Sequence, residues 1–186
     1  MLDCIYMRIA IATPLYPPDI AEPAPYVKEL ATRLSKNYEV TIVTYGHYPE
    51  EIPGVRIIAV SKQRPLPIRL TLYTLALLKA AKKTDVIYAL NGPSVELPAS
   101  IASFVTRAPL FAFLGDASAH TRAQKRNALK HLERVFLRRA HSTISHVPLP
   151  RPEILPFSPY PANELEAFNR SWDTHLSVLE KALPYA

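Results

Sequence analysis

Glycine is scarce in this chain, with four among 186 residues, and the scarcity removes whole classes of chemistry. No G-x-G-x-x-G follows the first β-like run and no G-x-x-x-x-G-K-[ST] occurs anywhere. Dinucleotide binding and P-loop phosphoryl transfer therefore lack the glycines that bring backbone N–H groups up to phosphate. Cys4 is the sole cysteine, which rules out an intrachain disulfide and a thiolate zinc site and fits a reducing cytoplasm. With no G-x-S-x-G elbow, no H-E-x-x-H pair and no other two-histidine spacing on a helical face, hydrolase and metalloenzyme chemistry have no residues to rest on. No resident cofactor or metal is expected. Uncharged apolar segments such as Leu70–Leu78 fall far short of the roughly 20 residues that span a bilayer, so any membrane contact should be peripheral. Residues 1–8 show no basic run followed by an apolar stretch, which argues against a signal peptide.

What is present suits one well-buried core: 48% of residues are hydrophobic, and the length is that of a single ordinary domain. Lys and Arg outnumber Asp and Glu by 22 to 16, a balance that attracts phosphates, anionic headgroups or nucleic acid, or that simply solvates the surface.

Three β-branched or apolar runs, Arg8–Thr13, Glu39–Tyr45 and Val55–Val60, read as strands. Between the first two, Tyr26, Val27, Leu30, Ala31 and Leu34 recur at helical spacing, giving a strand–helix–strand crossover. The alternation continues through a helix at about Ile68–Lys83, a strand at Asp85–Leu90, a short helix near Pro98–Val105 and a strand at Pro109–Leu114. A basic helix at about Arg122–Arg139 and a sixth strand at Ser142–Val147 follow. Near-continuous apolar strands alternating with helices predict an α/β Rossmann-like domain: a parallel sheet of about six strands with helices on both faces. Six prolines between Pro148 and Pro161 predict an extended connector. Beyond it Asn163 is a plausible cap with Glu166 three residues on, and Leu165, Phe168, Trp172, Leu176, Leu179 and Leu183 form the apolar stripe of a closing helix that docks on the same domain. The expected organisation is thus residues 1–147 as the domain, 148–162 as connector and 163–183 as docking helix.

Ligands of open parallel sheets bind at the carboxyl ends of the strands, which singles out three loops: Pro14–Pro25, Asn91–Leu97 and Gly115–His120. They supply Tyr16, Glu22, Asn91, Gly92 and Gly115 as candidate substrate-binding residues. Gly92 and Gly115 suit close backbone approach or an ordinary loop turn. Asp116 could orient or deprotonate a hydroxyl, or cap the following loop. Because an imidazole in general titrates near neutrality, His120 could act as a base, or it could sit solvated in the loop. Arg122, Lys125, Arg126 and Lys130 open a basic surface for an anionic lipid or a phosphate-bearing acceptor. Without interleaved aromatics or a nucleic-acid motif, nucleic acid is not expected. The apolar, basic-flanked stretch Lys62–Lys83 is either a buried helix or one that inserts part of its surface into a membrane interface.

Several of these segments resemble the N-terminal domain of GT-B fold glycosyltransferases of the large retaining "group 1" type. The most specific are the run Met7-Arg-Ile-Ala-Ile-Ala-Thr-Pro-Leu-Tyr-Pro-Pro18 and the helix Ala24-Pro-Tyr-Val-Lys-Glu-Leu-Ala-Thr-Arg-Leu34. Leu90-Asn-Gly-Pro93, Ala108–Asp116 and Leu137–Ser145 fall in the expected order. The likeness covers roughly residues 7–147 and implies that Met7 is the natural start. It also implies that this is the acceptor side of a cleft whose sugar-nucleotide side is missing. Two departures matter. Where the family's first loop carries a Gly-Gly pair, this chain has Ala21-Glu22-Pro23-Ala24. Glu22 beside a diphosphate about 5 Å away would oppose binding by about 3 kcal/mol at an effective dielectric near 20. The Glu-x7-Glu signature of the C-terminal domain is absent. The resemblance therefore implies an acceptor-binding half that acts with a donor-domain partner chain, using a sugar nucleotide as co-substrate for a lipid-linked or other acceptor. The alternatives are a non-catalytic scaffold and a homodimer that builds its own missing wall. The expected location is the cytoplasm, with peripheral contact at the inner membrane face.

Overall fold

The computed structural model describes residues 7–21, 23–145 and 165–183, and among these the hydrophobic alternation resolves into twelve elements. They are β1 (Arg8–Ala12), α1 (Ala24–Leu34), β2 (Glu39–Tyr45), β3 (Val55–Val60), α2 (Leu66–Ala81), β4 (Val86–Leu90), α3 (Pro93–Thr106), β5 (Leu110–Leu114), α4 (Ala117–Gln124), α5 (Asn127–Arg139), β6 (Ser142–Ser145) and α6 (Leu165–Ala182). The six strands form one sheet in the order β3-β2-β1-β4-β5-β6, every pair parallel. This is the Rossmann-like architecture the alternation predicts.

Alternation within each strand decides which helices cover which face. Ile9 and Ile11 of β1 join Val40, Ile42, Tyr88 and Phe113 in a core of large side chains closed by α1 and α6. Ala10 and Ala12, with Ala89 and Ala112, point the other way, and these small residues let α2, α3 and α5 approach the opposite face closely. Trp172 of α6 is fully buried and lies 5.5 Å from the Tyr26 ring, which in turn stacks at 4.3 Å on Phe113. Leu179 and Leu183 are buried with it, while Phe168 and Leu176 are half-buried, so the stripe docks as its spacing requires. Asn163, the connector and the side chains of Leu165 and Glu166 lie outside the described residues.

Two local expectations are corrected. The basic segment is two helices, because Ala119 and Ala123 of α4 bury a different stripe from Glu133 and Phe136 of α5, and Arg126 turns extended between them. The helix after β4 starts at Pro93 and carries Pro98 in its interior. A proline there leaves the carbonyl four residues back without its N–H donor, and the Tyr45 hydroxyl donates to that carbonyl, Ser94 O, at 2.9 Å. β2 and β3 are joined in parallel by residues 46–54 without a helix, and Ile52 of this return segment is buried in the core of large side chains. Among the described residues no helix is long and apolar enough to cross a membrane.

Candidate functional site

Strand order reverses between β1 and β4, so the ligand crevice of this sheet opens where these strands end, at residues 13–14 and 91–92. Asn91 is buried there, and its side chain spans to the end of β5. Its Nδ2 donates to Asp116 O at 2.8 Å, and Asp116 N donates to its Oδ1 at 3.0 Å. Gly92 has φ +138°, a conformation side chains rarely adopt, so this glycine is fixed by its backbone. Gly115 is fixed by space: a Cβ would stand 2.3 Å from the Phe113 ring.

Asp116 is the N-cap of α4, accepting from Ala119 N at 2.9 Å through Oδ1, with Arg122 Nη2 3.9 Å from Oδ2. His120 lies one turn into α4 with its side chain 17% exposed, and its Nδ1 meets Glu133 Oε1 at 2.7 Å. Gln124 Nε2 donates to the same oxygen at 3.3 Å. With the Nδ1 hydrogen directed at Glu133 Oε1, Nε2 of the neutral ring is left as the acceptor. Glu96, in the first turn of α3, accepts the Gly92 N–H at 2.9 Å. Burial pushes its carboxyl up to about 7, against the pull of that hydrogen bond and with a further upward push from Glu133. The Oε2 atoms of Glu96 and Glu133 are both buried without a hydrogen-bond partner among the described residues.

Among the described residues three helices begin at this edge, and each N-terminus carries a proline or a capping carboxyl group. In α1, Pro23 and Pro25 have no N–H and Ala24 N donates to Ala21 O at 3.0 Å. In α3 the first residue, Pro93, has no N–H and the Glu96 carboxyl accepts from the capping Gly92, and in α4 Asp116 accepts from the third N–H, that of Ala119. Helix N-termini hold phosphates through free N–H groups and a positive dipole end. Here prolines remove some of those N–H groups, and carboxyl groups accept from Gly92 N and Ala119 N.

Tyr16 lines a separate pocket of about 190 Å³ beside β2, with Asp19, Tyr45, His47, Tyr48 and Lys62 among the other lining residues. Asn91, Gly92, Asp116 and His120 are not part of that lining, so the sequence candidates divide between two places. The Tyr16 hydroxyl has no partner among the described residues, and burial, helped by Glu50, pushes it up to about 12. Lys62 pairs with Asp19 at 2.5 Å across the pocket mouth. A larger cavity of about 590 Å³ opens at the amino ends of the strands, away from the switch point. Glu22 lies outside the described residues. Arg122, Lys125, Arg126 and Lys130 are exposed and straddle the α4–α5 break instead of sharing one helical face. Sequence reasoning missed Glu96 and Glu133. Each is the only carboxylate in an otherwise apolar or basic helix, a signal that was there to read.

A family profile described as "Glycosyl transferase 4-like domain" matches residues 22–148. Among solved structures, Anabaena HepE in complex with UDP and glucose aligns with a TM-score of 0.51 at 19% identity, covering 75% of this chain and 38% of that one. A Listeria monocytogenes protein described as a UDP-N-acetylglucosamine 2-epimerase aligns with a TM-score of 0.52 at 14% identity, with the same 75% and 38% coverage. At these identities the two structures show the shared fold, and the chain spans 38% of the length of each. No curated protein sequence matches it.

Proposed function

The chain belongs to the glycosyl transferase 4-like domain family, and from that premise we propose that it is the acceptor-side half of a glycosyltransferase, completed by a separate donor-binding chain. One observation carries the reading: at the helix N-termini around the switch point prolines remove N–H donors, and the carboxyl groups of Glu96 and Asp116 stand where a donor diphosphate would need positive potential. The sugar nucleotide then sits on the partner. His120 Nε2, held by Glu133, takes the proton of an acceptor hydroxyl as the glycosidic bond to that oxygen forms and the bond from the sugar to the nucleotide diphosphate breaks. Arg122, Lys125, Arg126 and Lys130 attract a phosphate-bearing or lipid-linked acceptor.

Calorimetry with a panel of nucleoside diphosphates and sugar nucleotides tests this. No saturable binding is expected to the chain alone, with transfer appearing when a copurifying donor-binding chain is added. Saturable binding by the isolated chain would overturn the division of labour. A non-catalytic scaffold is favoured by one feature: Asp116 is committed to capping α4. If His120→Gln leaves the reconstituted transfer rate unchanged, that second reading prevails over the catalytic one. A self-sufficient homodimer requires self-association, which sedimentation of the purified chain measures.

A further inference from the structure

α2, α3 and α5 form the outer layer on the alanine-lined face of the sheet, with α3 packed against both neighbours. The outward side of α3 is apolar: Leu97, Ile101, Phe104 and Val105 share one helical face, and the last two are 73% and 57% exposed. α2 extends the surface with Leu66, Ile68 and Leu75, each about half exposed. Clustered exposure of this kind marks a contact surface, unlike apolar residues scattered singly.

Charge identifies the occupant. The three helices contain two carboxylates, Glu96 and Glu133, and both are buried, so their outward surface carries no negative side chain. Exposed cations border it: Lys79 on α2, and Lys130, Arg134 and Arg138 on α5. Arg139 joins the two parts, with its guanidinium 5.9 Å from the Phe104 ring centre and Nη2 donating to Ser103 O at 3.1 Å. The opposite side of the domain is mixed in sign, with Glu29 and Arg33 of α1 facing Asp173 of α6. An apolar strip with a cationic margin and no acid complements a bilayer interface with anionic headgroups: apolar side chains enter the acyl boundary while Lys and Arg remain among the headgroups.

We propose that this α2–α3–α5 surface docks the chain on an anionic membrane, with Phe104 and Val105 as the inserted residues. The proposal stands on this surface alone and does not depend on sugar transfer. Vesicle co-sedimentation of the full chain tests it, comparing phosphatidylcholine vesicles containing phosphatidylglycerol with phosphatidylcholine alone. Expected is salt-sensitive binding to the anionic vesicles only. Phe104→Glu should weaken it by about tenfold or more, and each of Arg134→Ala and Arg138→Ala by about fivefold. Lys36→Glu, on the exposed end of α1, should leave it unchanged. Phe104 is largely outside the core, so the variant's circular dichroism should match the parent's and separate lost docking from lost folding. Absence of binding at low salt overturns the proposal, as does equal binding by Phe104→Glu. Phe104-dependent self-association without vesicle binding would assign the surface to a second copy of the chain instead.

Discussion

Glu96 makes stability depend on pH in a direction opposite to that of an ordinary paired carboxylate. Its carboxyl is held at about 7 in the fold against an ordinary value of 4.5, so between those values the folded state binds the proton more tightly than the unfolded chain does. The associated stability is fully present below the unfolded value and is lost as pH rises through about 7, with an upper limit of about 3 kcal/mol. Glu96→Gln keeps an oxygen for the Gly92 N–H and cannot ionise. Its urea midpoint should fall less than the parent's between acid and neutral pH, and parallel profiles would show that Glu96 does not carry the effect. Gly115 gives a second test at this scale. A methyl there meets the Phe113 ring, which is buried and stacked on Tyr26 and has nowhere to move. Gly115→Ala should cost about 1–3 kcal/mol in denaturant unfolding. Of the residue-scale roles, a capping Asp116 was one of two readings open in the sequence, because Asp is a cap by type, but the sequence reads residues 115–120 as a loop where α4 begins. The Glu133 partner of His120 was not legible, since thirteen residues and an unseen helix break separate them.

Tertiary contacts decide which elements form where local propensity is ambiguous. Pro98 led the sequence to a short helix, yet α3 runs from Pro93 to Thr106, because Tyr45 at the end of β2 supplies the hydrogen bond that the proline cannot. Such a long-range compensation has no local signature, whereas the strands, with one apolar period each, were legible to within a residue or two. The compensation predicts non-additivity. Tyr45→Phe alone should cost about 1–2 kcal/mol by leaving Ser94 O without a donor. In a Pro98→Ala background the restored N–H meets that carbonyl, and the same change should cost less. A double-mutant cycle in urea measures the coupling, and simple addition of the two effects would remove Tyr45 from this role.

At the scale of the whole molecule the sheet is held between two unlike layers, and the layer that closes last in sequence is tied to the first. α6 reaches α1 through Trp172 and through Arg33 Nη2 donating to Asn169 Oδ1 at 2.7 Å, and it reaches the α1–β2 connection through the Tyr38 hydroxyl donating to Glu180 at 3.2 Å. Its apolar stripe was readable as a docking helix, but which face it would cover was not, because that depends on which side of the sheet the crossovers leave open. With Trp172 fully buried against Tyr26, α6 should unfold with the sheet and not before it. Trp172 is the only tryptophan, so its fluorescence reports α6 while far-UV circular dichroism reports every helix. The two urea transitions should superimpose, and Trp172→Ala should lower the dichroism midpoint by the equivalent of about 3–5 kcal/mol. A fluorescence transition that precedes the dichroism transition would make α6 a separately opening unit, and the core beneath it would then be complete without the helix.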